Sequence, residues 1–171
     1  MKRLVVTALL ATSPLSAVAE AHMPPGATAD VIGRDGTDHG TVTLDATPSG
    51  HVHVTLMLQA LPAGEHGVHI HETGDCSADD FTSAGGHVAG DATHGVMTED
   101  GPHPGDLPNV HAPDNGELTV EYFAAGLDLA EHVFDDDGAA FVIHSGPDDY
   151  ESQPSGDAGD RIACGILQSA S

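Results

Sequence analysis

Gly67-Val68-His69-Ile70-His71 decides how this chain is read. Side chains alternate across a β-strand, so His69 and His71 share one face while Val68 and Ile70 turn to the other. One short segment thus builds a wall of a hydrophobic core and, on its reverse side, offers two imidazoles to a single ion. Further ligand-type residues follow in order: His87, His94, His103, Asp106 and, far along the chain, His144. Neutral imidazole suits copper and zinc, and a lone carboxylate among histidines suits zinc.

Outward from this stretch the chain reads as β. Thr41–Leu44, Val52–Leu58, Val68–Ile70, Leu118–Phe123 and Ala140–Ile143 alternate or run apolar over strand lengths. Asp35-Gly36, Pro48-Ser49-Gly50, Pro62-Ala63-Gly64, Asn115-Gly116 and Asp137-Gly138 punctuate them with residues that turns require. Helical periodicity is confined to a few residues around Leu127 to His132. An all-β sandwich or barrel follows. Two segments fit no strand: Thr73 to about Pro108, rich in Gly, Asp, Ser, His and Pro, and the acidic stretch Ser145–Asp160. A loop as long as the first needs a reason within a compact domain, and metal coordination supplies one. The second reads as a rim beside His144.

At 171 residues the chain supports one domain with a substantial core. Lys2 and Arg3, the apolar run Leu4–Leu10 and Ser16-Ala17-Val18-Ala19 read as a secretory signal over residues 1–19, cleaved after Ala19 or Ala21. Ser13, Pro14 and Ser16 interrupt the apolar run well short of the roughly 20 residues that span a bilayer. A short tail, 20–27, then precedes a single domain over 28–171. The expected product is periplasmic or secreted and holds no membrane once processed.

Losing Lys2 and Arg3 leaves 27 acidic side chains against Arg34 and Arg161, a formal charge of about −25 with histidine neutral. Nucleic acid and anionic membranes demand basic patches, so neither is a partner. Cys76 and Cys164 are the only cysteines. In an exported chain an even count invites a disulfide, two separate buried thiols being the alternative. Cleavage after Ala19 makes Glu20-Ala21-His22 the new terminus, and a free amine with His22 third wraps Cu(II) in square-planar nitrogen coordination. Cleavage after Ala21 removes that motif.

Several motifs occur in one order: Gly64-Glu65-His66-Gly67-Val68-His69-Ile70-His71-Glu72, Gly74-Asp75-Cys76, Ser83-Ala84-Gly85-Gly86-His87, His94-Gly95, His103-Pro104-Gly105-Asp106-Leu107-Pro108-Asn109-Val110, Phe141-Val142-Ile143-His144 and Gly156–Gly165. As a set, from about residue 28 to 167, they resemble the copper/zinc superoxide dismutases. The resemblance implies an eight-stranded Greek-key β-barrel, an architecture grouped with the sandwich folds. It further implies conversion of superoxide to dioxygen and hydrogen peroxide through a Cu(II)/Cu(I) cycle, with one copper and one histidine-bridged zinc per chain.

Carried over by position, His69, His71, His87 and His144 hold copper. His87, His94, His103 and Asp106 hold zinc, so His87 bridges as an imidazolate. Asp148 links His69 to His94, and such outer partners set ring orientation. Arg161 holds the anion beside copper, and His87 serves as proton carrier. A salt bridge with neighbouring Asp160 is the ordinary alternative for Arg161. Cys76 and Cys164 stand where the family has its disulfide, and His66 matches a structural histidine. His39, His51, His53, His111 and His132 match no ligand and are expected on strands or the surface.

This chain also departs from the family's pattern. Only seven steps separate His87 from His94, and Val88-Ala89-Gly90 stands where a proline is usual. Asp148, Asp149, Glu151, Asp157 and Asp160 occupy a rim that commonly carries lysines. An exported metal-buffering protein without turnover is the rival reading, and both monomer and homodimer stay open.

Overall fold

The computed structural model describes residues 25–170. The signal segment and the Glu20-Ala21-His22 motif lie outside the described residues. Among the described residues ten strand segments form: β1 Ala27–Gly33, β2 Asp38–Ala46, β3 Val52–Leu58, β4 Gly64–His66, β5 Val68–His71, β6 Val110–Ala112, β7 Leu118–Ala124, β8 Ala140–His144, β9 Arg161–Ile166 and β10 Gln168–Ser169. A single residue, Gly67, interrupts β4/β5, and Leu167 alone interrupts β9/β10. Taken across those breaks the segments make the eight strands expected.

All pairings are antiparallel, and the curled sheet runs β5-β8-β9-β1-β2-β3-β7, with β10 also on β1. β4 pairs with β6, which lies against β7, so the two edges of the sheet meet through this ribbon. Neighbours distant in sequence, β3 with β7 and β9 with β1, require the long crossing connections of a Greek key. The hint of helix is a single turn, α1 Leu129–His132, capped by the Asp128 side chain on the Ala130 and Glu131 amides.

Alternation sorts the core from the solvent. On β3, Val52, Val54, Leu56 and Leu58 are buried, facing Leu44, Val42 and their neighbours from β2. β5 and β8 are instead buried along their whole length. Val68, Ile70, Phe141 and Ile143 join the main core. Ala140 and Val142 turn to the other side, under Phe81, Ala84 and Cys164, in a second small core. A strand buried on both faces needs a cover for its outer one, and the long loop 72–109 is that cover.

Candidate metal centre

The loop reaches the outer face of β5 by extending its hydrogen bonding. Val88 N donates to Ile70 O, Ile70 N to Gly105 O, and Glu72 N to Gly86 O, each at 2.9 Å. His87 thereby comes opposite His71, and Asp106 opposite His69. From the other side β8 delivers His144, opposite Arg161 on β9, at a break in register between Ile143 and His144. Such a bulge re-aims the side chain that follows it.

The residues singled out in the sequence assemble into two groups that share a ring. Ligand atoms of His69, His71, His87 and His144 lie within 4.8 Å of one another, as do those of His87, His94, His103 and Asp106. In the first group the free nitrogens are His69 Nδ1 and the Nε2 atoms of His71, His87 and His144. Among the described residues these are the buried side-chain polar atoms without a hydrogen-bond partner. An unsatisfied buried polar group costs about 1–3 kcal/mol, so four converging on one point describe a place made for an electrophile.

In three of these four rings the opposite nitrogen explains the direction. His69 Nε2–H donates to Asp148 Oδ2 (2.8 Å), His71 Nδ1–H to Gly85 O (3.0 Å) and His144 Nδ1–H to Gly159 O (3.2 Å). Each proton is held on the far side, which leaves a lone pair facing the group's centre.

The second group makes the case by conflict. His87, His94 and His103 direct Nδ1 at the same oxygen, Asp106 Oδ1, at 2.8, 3.1 and 3.2 Å. The Nε2 of His94 is 3.0 Å from Asp148 Oδ1. A neutral ring has one N–H, and giving it to Asp148 leaves the His94 Nδ1 lone pair opposite a carboxylate. Two acceptors facing each other are reconciled by a cation between them. Three nitrogens and one carboxylate form a donor set suited to zinc, and four nitrogens one suited to copper.

Burial controls the protonation of His69, His71 and His144. It pushes His69 down to about 3, His71 to about 2 and His144 to about 4. Burial works to raise Asp106 and Asp148, but hydrogen bonds from His87 and the Gly95 amide, and from His69, His94 and the Tyr150 amide, hold both below the usual carboxylate range. The unfolded rings take up protons near pH 6.5, whereas the folded ones stay neutral far below that. Their contribution to stability is therefore full above pH 6.5 and is lost progressively as the pH falls toward about 4, 3 and 2. In a chelator-treated sample, with salt screening the chain's own repulsion, the urea midpoint at pH 5 should lie below that at pH 7. Equal midpoints would contradict this burial of neutral rings.

Arg161 does not pair with Asp160. Its Nη1 and Nη2 donate to Phe81 O and Gly85 O, each at 2.7 Å. The Gly85 carbonyl thus anchors both Arg161 and His71. Gly85 sits at φ +74°, where a Cβ would also press on Glu72 and Thr73, and the Glu72 carboxylate accepts the Gly86 amide at 2.9 Å. A cleft of about 370 Å³, lined by His71, His87, His144, Pro154, Ser155 and Arg161, opens this face to solvent. A wider cleft of about 580 Å³ beside Cys76 and Cys164 contains no histidine.

The two cysteines are joined, with 5.9 Å between their Cα atoms. Asp148, grouped in the sequence with the acidic rim, is not a rim charge. It is 3% exposed, and both its oxygens are committed to His69 and His94. Asp149, Glu151, Asp157 and Asp160 are exposed. His66 is buried between the carbonyls of His144 and Pro62. His39, His51, His53 and His111 lie outside both groups, and His132 turns back on α1 to accept the Asp128 amide.

Two residues that stand in the quoted motifs without an assigned role frame the site. Asn109 pairs reciprocally with the Asp148 backbone, Oδ1 accepting its N–H at 2.9 Å and Nδ2–H donating to its C=O at 2.8 Å. Gly156, at φ +67°, leaves no room for a Cβ beside Asp148 and His94 Nε2. A Gly in Ser155-Gly156-Asp157 signals only a turn, and a polar Asn109 only a loop; neither names its partner.

A profile of the family described as copper/zinc superoxide dismutase (SODC) matches residues 38–167. The chain is 42% identical over 149 residues to the Cu-Zn superoxide dismutase of Caulobacter vibrioides, covering 83% of this chain and 85% of the relative. It is 40% identical over 148 residues to Cu-Zn superoxide dismutase 1 of Aquifex aeolicus, covering 82% and 86%. Among solved structures it is similar to the SOD-like protein of Bacillus subtilis (TM-score 0.78, 33% identity, 82% of this chain and 97% of that one). The Cu/Zn superoxide dismutase of Brucella abortus also matches (TM-score 0.69, 30% identity, 84% and 99%). With its curled β-sheet, its two histidine groups and these relatives over most of its length, the chain belongs to the copper/zinc superoxide dismutase family.

Proposed function

We propose that this chain is an exported enzyme that dismutates superoxide to dioxygen and hydrogen peroxide. The reading rests above all on the four unpartnered, buried histidine nitrogens that converge beside an open mouth. We assign copper to His69, His71, His87 and His144, and zinc to His87, His94, His103 and Asp106. Bound copper supplies the one-electron change that dismutation needs, and zinc, which has no accessible redox state, supplies fixed charge.

The chain's own groups do the rest. Arg161 holds a permanent positive charge at the mouth, its guanidinium fixed on the Phe81 and Gly85 carbonyls, and draws a small anion toward the His71, His87 and His144 rings. Nε2 of His87 is the atom placed to take up and release a proton, with its Nδ1 committed to the Asp106 group. Asp148 ties His69 to His94 and so keeps both groups in one alignment.

A metal-buffering protein would use the same ligands without Arg161 at the mouth. The discriminating experiment loads the chain with copper and zinc and follows superoxide decay after a radiolytic pulse. An enzyme consumes superoxide catalytically, whereas a buffer takes up metal and does not turn over. The acidic exterior sets a further expectation. A charge of about −25 repels an anionic substrate, and at 0.15 M salt the Debye length shrinks to about 8 Å. Catalytic rate should rise between low and moderate ionic strength. A fall over that range would show that the local field of Arg161 outweighs the net charge.

A further inference from the structure

Gln153, exposed on the rim loop, grips the backbone of His94 on both sides although 59 residues separate them. Its Oε1 accepts the His94 N–H at 3.0 Å, and its Nε2 donates to the His94 C=O at 2.8 Å and to Glu151 C=O at 3.0 Å. The same His94 carbonyl also receives the Thr98 hydroxyl at 3.0 Å. This is the pairing one strand offers another, made here by a side chain in a region without strands.

Elsewhere around His94 the restraint also comes from the rim. Asp148 holds the ring at Nε2, Gly156 leaves no space beside it, and the Tyr150 carbonyl accepts Met97 N–H at 3.1 Å. The residues on either side of His94 are held separately: Val88 donates to Ile70 O and accepts from Gly105 N–H, and the Gly95 amide donates to Asp106 Oδ2 at 2.9 Å. Between these points the chain runs through Ala89-Gly90 with Gly90 at φ +56°, Ala92 N–H closes a turn on Ala89 O, Thr93 N–H donates to Asp100 O, and the His94 amide itself is left to Gln153.

We propose that Gln153 is a positioning residue for the zinc side: it presets the His94 backbone so that Nδ1 faces Asp106. This rests on the zinc assignment made above. A preset ligand loses less freedom when the ion binds, and outer contacts of this kind change metal affinity by about 10–100-fold. Linkage is reciprocal, so zinc in turn secures the rim, whose Pro154 and Ser155 line the mouth at His71, His144 and Arg161.

The test uses the full mature chain, copper-loaded with its disulfide intact, and measures zinc affinity by competition with a chromophoric chelator. Gln153→Met keeps length and approximate shape but loses the hydrogen bonds. Gln153→Glu keeps an acceptor for the His94 amide but sets a carboxylate oxygen against the His94 carbonyl. Gln153→Met should weaken zinc by about tenfold or more, and Gln153→Glu further. With Co(II) in place of zinc, the visible spectrum of either variant should shift, and protease should cut the zinc-loaded rim faster than in wild type. Wild-type affinity and spectrum in Gln153→Met would overturn the positioning role and leave the ligand assignment standing. Wild-type protein that takes up no zinc would overturn both.

Discussion

Replacing His144 with alanine should lower superoxide consumption by about a thousandfold or more, equivalent to about 4 kcal/mol of barrier, while the chain keeps its zinc. His144 belongs to the four-nitrogen group and has no part in the group around Asp106. Its ring is set by the Gly159 carbonyl on one nitrogen and offers the other, unpartnered, to the centre. Truncation leaves His69, His71 and His87 as three buried nitrogens without their fourth, and opens the cleft where Arg161 meets the ligands. Copper and zinc content per chain, read beside the decay of superoxide, checks the outcome. Copper retained with full turnover would remove His144 from the ligand set; zinc lost together with copper would show that the two groups do not act separately.

Removing the disulfide with Cys76→Ser and Cys164→Ser should cost about 4–5 kcal/mol of folding stability in the chain-entropy view of cross-linking. The bridge spans 88 residues, and that closure is released into the unfolded ensemble when it is cut. Folded domains are stable by only about 5–15 kcal/mol, so the loss is a large share. The effect should reach the metal groups as well. Cys164 packs with Phe81, Ala84, Ala140 and Val142, and this small core carries the segment whose Phe81 and Gly85 carbonyls hold Arg161 and His71. Urea unfolding of oxidised wild type and the variant, with copper affinity measured on both, tests the two claims. A stability difference below about 1 kcal/mol would mean that packing alone secures the loop.

Strands with clean alternation were legible. Val52–Leu58 has the same bounds in the structure, and Leu118–Phe123 lies one residue short of β7. β1 was not legible, because Ala27 and Ala29 are small and only Val31 marks its inner face. β9 hides for a related reason: Arg161 opens it, and its buried residues are small and divided between two faces, Ala163 in the main core and Cys164 in the second one. The short pair β4 and β6 exists through pairing with each other, which no local pattern announces. At the site, each of the seven ligand candidates in the two groups was visible by residue type and order. Asp148 was legible only through resemblance, and its removal from the charged rim followed from burial alone.

Residue chemistry and periodicity by themselves determined a β domain, an acidic exterior, a pair of same-face histidines and a donor set suited to copper and zinc. Those are properties of single side chains and of a repeat of two along a strand. The tertiary structure decided which nitrogen of each ring faces the centre, that His87 serves both groups, that Arg161 anchors on carbonyls rather than on Asp160, and that Gln153 grips His94. These depend on hydrogen bonds between segments as much as 80 residues apart, and such partners meet only when the chain has closed.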